Sequence, residues 1–338
     1  MSEQRKRVVV ICPGRGTYTK ETLGYLKPHR MNQVSFLADL DQRRSADQQP
    51  TVSELDNADQ FSTNLHTKGE NASVLIYACS YCDFAQLDRD QYEVVAITGN
   101  SMGWYLTLAI AGSLDWEGAY KVINTMGSMM KGGIVGGQVI YPMTDENWLP
   151  DYDRMELVEG LLREAYYMEE VEIYPSIFLG GYLVFGGNKP GLEFLMKSLP
   201  QVEHFPFQLV NHAAFHTPLL RETSEKAMQQ ISSSLFAKPK IPMIDGRGHI
   251  WKPFSTEIQD LYHYTLGHQV VAPYDFSAAV TVALKEFNPD QLILLGPGNT
   301  LGGSIGQILV QNQWKGITDK ESFSTRQQQN PFLVSLGR

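Results

Sequence analysis

The stretch GNSMGWY, at positions 99–105, carries the pattern Gly-x-Ser-x-Gly and constrains the fold more than any other part of the chain. The residues before it, YEVVAIT at 92–98, are typical of a strand, and WYLTLAIAGSL at 104–114 suits a buried helix. A strand, a tight turn and a helix are what a nucleophile elbow needs, because the turn exposes the serine hydroxyl to the amides at the helix start. Paired glycines also serve ordinary strand-to-helix turns, so Ser101 is either a nucleophile or a turn residue.

The flanking segments indicate an α/β fold. RVVVICPGRG at 7–16 predicts a buried first strand followed by a glycine loop, and LILLGPGNTLGGSIGQIL from 292 predicts a last strand, turn and helix. Helices are predicted near 71–87 and 115–131, with a polar excursion at 40–70. From 134 to 207 the order becomes β-α-β-β-α-β, which is typical of a split βαβ unit. The sequence therefore predicts a core made of 1–133 and 208–338 and an insert at 134–207.

Composition excludes several classes of function. The 338 residues are 43% hydrophobic and carry a net charge of -9 without a dense basic stripe, which argues against a nucleic-acid partner. No apolar run reaches the ~18 residues of a membrane span, and the N-terminus does not resemble a secretory signal. Three cysteines give no disulfide framework, and the CSYC at 79–82 lies in an apolar helical segment without a second pair for zinc. We expect a cytoplasmic protein with no membrane association and no metal site.

A serine hydroxyl becomes a good nucleophile only when a base accepts its proton. Of the eight histidines, the best candidate is His216 in NHAAFHTPLL, a segment that joins a β-like run to a helix. The residues alone leave open whether His216 reaches Ser101 or has a structural role.

Five segments, in order along the chain, resemble motifs of the malonyl-CoA:acyl carrier protein transacylase family, which includes the acyltransferase domains of polyketide and fatty-acid synthases. GNSMGWYLTLAIAGSLDWEGA resembles the GHSLGEYxALxxAGxLxxEDA segment of that family. CPGRGT resembles FPGQGS, and AAFHTPLL resembles AFHSPLM. GHQVVAPYDF resembles xxQxxxPVxW, and LLGPGNTLGG resembles EVGPGxVLxGL.

The resemblance implies an α/β-hydrolase-like core with a ferredoxin-like insert and a ping-pong acyl transfer. Ser101 would be acylated by an acyl-CoA, with His216 as base and then acid. The backbone amides of Arg15 and Met102 would form the oxyanion hole, and the main-chain carbonyl of Gln269 would orient His216. The acceptor would be the phosphopantetheine thiol of an acyl carrier protein, with no cofactor bound.

Departures from the family motifs bear on the acyl group. Met126 stands where malonyl-using members carry the arginine that holds the free carboxylate, which favours a monocarboxylic acyl group. Arg15 replaces the glutamine of FPGQGS, so its side chain either supplies the missing charge or points to solvent. Asn100, Trp104 and Phe178 replace a histidine, a glutamate and a pocket asparagine and would make the pocket more apolar. Phe215, beside the base, suits a small acyl group.

Four functions fit this pattern. The first is transfer of a monocarboxylic acyl group to a carrier protein in fatty-acid or polyketide biosynthesis. An ordinary malonyltransferase is the second. The third is a hydrolase that releases acyl groups from carrier proteins with the same Ser-His dyad, because the acceptor depends on the access of water to the acyl-enzyme. The fourth is a non-catalytic module that binds a carrier protein.

Overall fold

The computed structural model describes residues 5–29 and 32–337, which form two β-sheets with helices around them. The strands of this part of the chain are β1 (Lys6–Cys12), β2 (Tyr92–Gly99), β3 (Gly137–Pro142), β4 (Ile173–Leu179), β5 (Tyr182–Gly187), β6 (Phe207–Gln208), β7 (Met243–Ile244), β8 (Ile250–Trp251), β9 (Tyr274–Asp275), β10 (Gln291–Leu294) and β11 (Leu333–Ser335). The α-helices are α1 (Val34–Ala46), α2 (Val52–Asp56), α3 (Thr63–His66), α4 (Gly69–Ala85), α5 (Gly103–Ile110), α6 (Trp116–Ser128), α7 (Tyr152–Tyr166), α8 (Lys189–Ser198), α9 (Arg221–Gln230), α10 (Ile258–His263), α11 (Gln269–Val271), α12 (Phe276–Phe287), α13 (Gly302–Gln311) and α14 (Lys320–Gln329).

The main sheet has the order β11-β10-β1-β2-β7-β8 and is parallel except for the β7–β8 pair. In its central strand β1, residues 8–12 form an unbroken apolar run and are fully buried. Such a run is typical of a parallel strand covered by helices on both faces. The loops after β1 and β2 leave the same edge of the sheet, and this edge holds the site described below.

The second sheet has the order β6-β3-β5-β4-β9. Its first four strands and the helices α7 and α8 follow the predicted β-α-β-β-α-β order, which confirms a ferredoxin-like subdomain on an α/β core. This subdomain has its own apolar core, formed by Val139, Tyr141, Val158, Leu183, Phe185, Leu192, Leu195 and Leu199. Strand β9 lies after residue 208, in the part of the chain assigned to the core, and it pairs with β4 of the subdomain. The limits at 134 and 207 stay a prediction, because the sheet crosses them.

Several predicted local features agree with the structure within a few residues. Helices α4 and α6 lie where 71–87 and 115–131 were expected, and the polar excursion at 40–70 holds the end of α1 and the short helices α2 and α3. All three cysteines are buried free thiols. No helix within the described ranges is long and apolar enough to cross a membrane.

Candidate active site

Ser101 lies in the tight turn between β2 and α5 with a positive φ of 55°. The flanking glycines are required by sterics, because a methyl group on Gly99 would overlap the backbone of Gly103. A methyl group on Gly103 would overlap the carbonyl oxygens of Cys12 and Pro13 in the loop after β1. The strained φ and the two close approaches are the geometry of a nucleophile elbow.

His216 is 1% exposed and lies 2.7 Å from Ser101, measured from Nε2 to Oγ. Its other ring nitrogen, Nδ1, donates to the carbonyl oxygen of Gln269 at 2.5 Å. A carbonyl oxygen only accepts, so the proton sits on Nδ1 and Nε2 is free to accept the serine proton. Burial lowers the pKa of His216 to about 4, although the Gln269 carbonyl opposes this shift. The imidazole is therefore a neutral base at physiological pH.

Further hydrogen bonds hold Ser101 and His216 in position. Besides its carbonyl, Gln269 uses its side chain: Nε2 donates to the carbonyl of Ser101 at 3.1 Å, and Oε1 accepts from the hydroxyl of Tyr105 at 3.0 Å. The hydroxyl of Tyr274 donates to the carbonyl of Gly99 at 2.5 Å. Gln269 follows a π-helical turn at Tyr264–His268, a rare geometry that is frequent at functional sites. Sequence reasoning identified the carbonyl of Gln269 but missed both tyrosines, which carry no local motif.

The backbone amides of Arg15 and Met102 have no hydrogen-bond acceptor among the described residues. Both residues line the same cavity as Ser101. Unpaired amides beside a nucleophile are the donors that an oxyanion hole requires.

The cavity behind Ser101 is small and mostly apolar, and we call it the inner cavity. It measures about 40 Å³ and is lined by Arg15, Ser73, Ser101, Met102, Tyr105, Met126, Gly127, Met130, Phe215, His216 and Gln269. Met126 is 4% exposed and forms part of its wall, where the resemblance placed it. Phe215 also lies in this wall, beside the imidazole.

A second cavity of about 330 Å³, the outer cavity, opens on the other side of Ser101 between the core and the subdomain. Asn100 lies in its wall, 8% exposed, and the side-chain Oδ1 has no partner within residues 5–29 and 32–337. His212 is also part of the lining and donates from Nδ1 to Oε1 of Gln138 at 3.0 Å. Burial and the charge of Arg15 lower the pKa of His212 to about 3, so this ring is a neutral acceptor through Nε2. Sequence reasoning missed His212 and Gln138.

The structure places two of the expected pocket residues outside the linings of both cavities. Phe178 is 40% exposed and lies on β4 between Ile177 and Leu179, which line the outer cavity. Successive side chains of a strand point to opposite faces, so Phe178 points away. Trp104 lies in neither lining; it is fully buried against Tyr264 and donates to Oγ1 of Thr265 at 3.0 Å. The helix turns Trp104 into the core behind the elbow.

Arg15 does not point to solvent. Its Nη2 donates to the carbonyl oxygens of Thr67 at 3.0 Å and Asn211 at 2.7 Å, and the side chain lines both cavities. No group of three or more histidine, cysteine or acidic side chains in the described part of the chain is placed to hold a metal ion.

No protein-family model matches the chain. Two similar curated proteins are bacterial malonyl CoA-acyl carrier protein transacylases. The one for polyketide biosynthesis in Bacillus subtilis strain 168 is 24% identical over 241 residues, which covers 70% of this chain and 76% of that protein. The one from Haemophilus influenzae is 24% identical over 273 residues, 78% of each chain.

Solved structures agree on the fold. A malonyl-transacylase solved in complex with a type II polyketide synthase acyl-carrier protein superposes with a TM-score of 0.72 at 17% identity and covers 98% of this chain and 96% of that one. The acyl carrier protein S-malonyltransferase of Vibrio cholerae O1 gives a TM-score of 0.70 at 19% identity, covering 90% and 94%. Over most of its length the chain is thus similar in sequence to malonyl-CoA:acyl carrier protein transacylases, and it shares the fold of solved members of that family.

Proposed function

We propose that the chain transfers a short acyl group from coenzyme A to the phosphopantetheine thiol of an acyl carrier protein through an acyl ester on Ser101. The observation that carries the proposal is the 2.7 Å contact between Ser101 Oγ and His216 Nε2, with the carbonyl of Gln269 on the opposite ring nitrogen. This is a nucleophile with its base and the group that orients the base. The named relatives, which act on malonyl-CoA and carrier protein, support the same reaction in fatty-acid or polyketide synthesis.

In the first half-reaction Ser101 Oγ attacks the thioester carbonyl while its proton passes to Nε2 of His216. The amides of Arg15 and Met102 stabilise the oxyanion, and removing one such donor typically costs ~100-fold or more in rate. When the intermediate collapses, the carbon–sulfur bond breaks and the coenzyme A thiolate takes the proton from His216. In the second half-reaction the pantetheine thiol gives its proton to His216 and attacks the carbonyl of the acyl ester. The ester carbon–oxygen bond then breaks, and Ser101 Oγ takes the proton back from His216.

The cavities suit the two parts of this substrate. The inner cavity, about 40 Å³ beside Ser101, accommodates only a short acyl group. The outer cavity, about 330 Å³, combines apolar walls with a polar acceptor, Nε2 of His212. This acceptor fits an amide N–H group of a pantetheine arm.

Intact-protein mass spectrometry tests the proposal. The protein is mixed with acetyl-, malonyl- and longer acyl-CoAs, and carrier protein is then added, with Ser101→Ala as the control. We expect a short-chain adduct on Ser101 that moves to the carrier protein, and a loss of ~1,000-fold or more in acylation for the variant. An adduct lost to water at the same rate with or without carrier would instead make the chain a hydrolase. No serine-dependent adduct with any acyl-CoA would leave a binding module and contradict the proposal.

A further inference from the structure

The guanidinium of Arg15 is a partly buried charge beside the nucleophile's turn. Within the described residues no acidic side chain forms an ion pair with it, and its hydrogen bonds go to the neutral carbonyls of Thr67 and Asn211. Both bonds use Nη2; among residues 5–29 and 32–337, Nη1 has no acceptor and Nε is enclosed without one. Buried donors are almost always paired, and a buried charge is costly unless an anion compensates it. Burial lowers the pKa of Arg15 to about 10, although the negative charge of Glu70 opposes this shift, and Arg15 stays charged at neutral pH.

This charge lies next to the nucleophile. Arg15 and Ser101 line both the inner and the outer cavity. In the described lining of the inner cavity, Arg15 is the one cationic side chain, because His216 is neutral and the other lining residues are uncharged. An anionic group on the acyl chain would find its partner at Arg15 and nowhere else in that lining.

We infer that Arg15 is the residue that selects the acyl group: its free Nη1 donor binds the carboxylate of a short carboxyacyl group carried by Ser101. The inference rests on the proposed function and identifies the substrate as a dicarboxylic acyl thioester. It replaces the monocarboxylic preference expected from Met126, because the positive charge enters from the loop after β1 instead of from α6. The flexible side chains of Met126 and Met130 allow the inner cavity to adapt to the bound group.

A purely structural role for Arg15 makes a different prediction. Its bonds to Thr67 and Asn211 connect the α3–α4 turn to the segment before His216, and Nδ2 of Asn211 also donates to Oγ1 of Thr67 at 2.7 Å. If Arg15 served only this connection, its loss would impair every acyl substrate equally. If Arg15 anchors a carboxylate, its loss would impair only the acyl substrate that carries a charge.

The experiment measures kcat/KM for acylation of Ser101 by malonyl-CoA and by acetyl-CoA in the wild type, Arg15→Gln and Arg15→Lys. Arg163→Gln, at an exposed arginine of α7, is the matched control. Each substitution at Arg15 keeps the backbone amide, so the proposed oxyanion-hole donor is retained. We expect the wild type to prefer malonyl-CoA, and we expect Arg15→Gln to lower the malonyl-to-acetyl ratio of kcat/KM about 10- to 100-fold, the range for a hydrogen bond to a charged group. Arg15→Lys should fall between them, because it keeps the charge and loses the planar fork.

The outcomes separate the two proposals. Equal losses for both substrates, no loss for either, or a wild type that prefers acetyl-CoA would overturn the role of Arg15 and leave the acyltransferase intact. Absence of Ser101-dependent acylation with any substrate would overturn the proposed function itself, and the role of Arg15 with it.

Discussion

At the level of single residues, the acid–base behaviour of His216 follows from its burial. Its pKa is lowered from the ordinary 6.5 to about 4, so the base is neutral and active above pH 4 and is lost as the pH falls through that value. We expect the acid limb of kcat/KM for acylation near pH 4, measured by rapid mixing to limit exposure to acid. Unfolding restores the ordinary pKa, so this group also lowers folding stability as the pH drops from about 6.5 to about 4.

The matched control for this pH profile is His204→Gln, which removes an exposed imidazole on the subdomain. That variant should leave the acid limb in place. A limb near pH 6.5 in the wild type would contradict a buried neutral base. The inner cavity would then have to admit water to the imidazole.

At the level of the elements, the strand–turn–helix around Ser101 depends on a close backbone contact between β1 and α5. A methyl group at Gly103 would overlap the carbonyls of Cys12 and Pro13, and neither backbone atom can rotate away as a flexible side chain would. Gly103→Ala should therefore destabilise the fold by about 3 kcal/mol or more, as overpacking against fixed backbone does. Thermal unfolding would measure the change.

The comparison variant is Gly160→Ala. Gly160 lies within α7, where an added methyl group meets no atom within 4 Å. Alanine should stabilise this helix by about 0.5–1 kcal/mol. If both substitutions lowered the melting temperature alike, the cost at Gly103 would be a general effect of losing glycine, and the contact with β1 would not explain it.

The elements also show which parts of the site could be predicted from the sequence. The positions of Ser101, His216 and Gln269 were predictable because the elbow, the histidine segment and the carbonyl belong to short motifs. The side-chain positions of Phe178 and Trp104 could not be predicted. A shift of one residue along a strand or helix changes the direction of a side chain and moves it from a cavity to the surface or the core. Tyr105 and Tyr274 act through contacts distant in sequence, which leave no local pattern.

At the level of the whole molecule, the subdomain helps to position the catalytic histidine. Ser176 on β4 is fully buried and donates from Oγ to the carbonyl of Phe215 at 2.9 Å, one residue before His216. The same hydroxyl accepts from Nε2 of Gln138 on β3 at 2.8 Å. Ala214 adds a backbone bond to Val135 at 2.9 Å. The segment that carries the base is therefore bonded to the subdomain sheet on one side and to Gln269 of the core on the other.

This arrangement makes Ser176 a positioning residue. In Ser176→Ala the carbonyl of Phe215 keeps only the longer 3.4 Å contact from Gln138, and the Gln138 amide loses its closer acceptor at 2.8 Å. We expect a loss of about 1–3 kcal/mol in stability from the unpaired buried groups. We also expect kcat for acyl transfer to fall about tenfold with little change in KM, because a displaced base affects the chemical step more than binding. Ser324→Ala, at an exposed serine of α14, is the control. A normal kcat in a protein that is destabilised as expected would mean that the core alone positions His216, and that the subdomain contributes only the wall of the outer cavity.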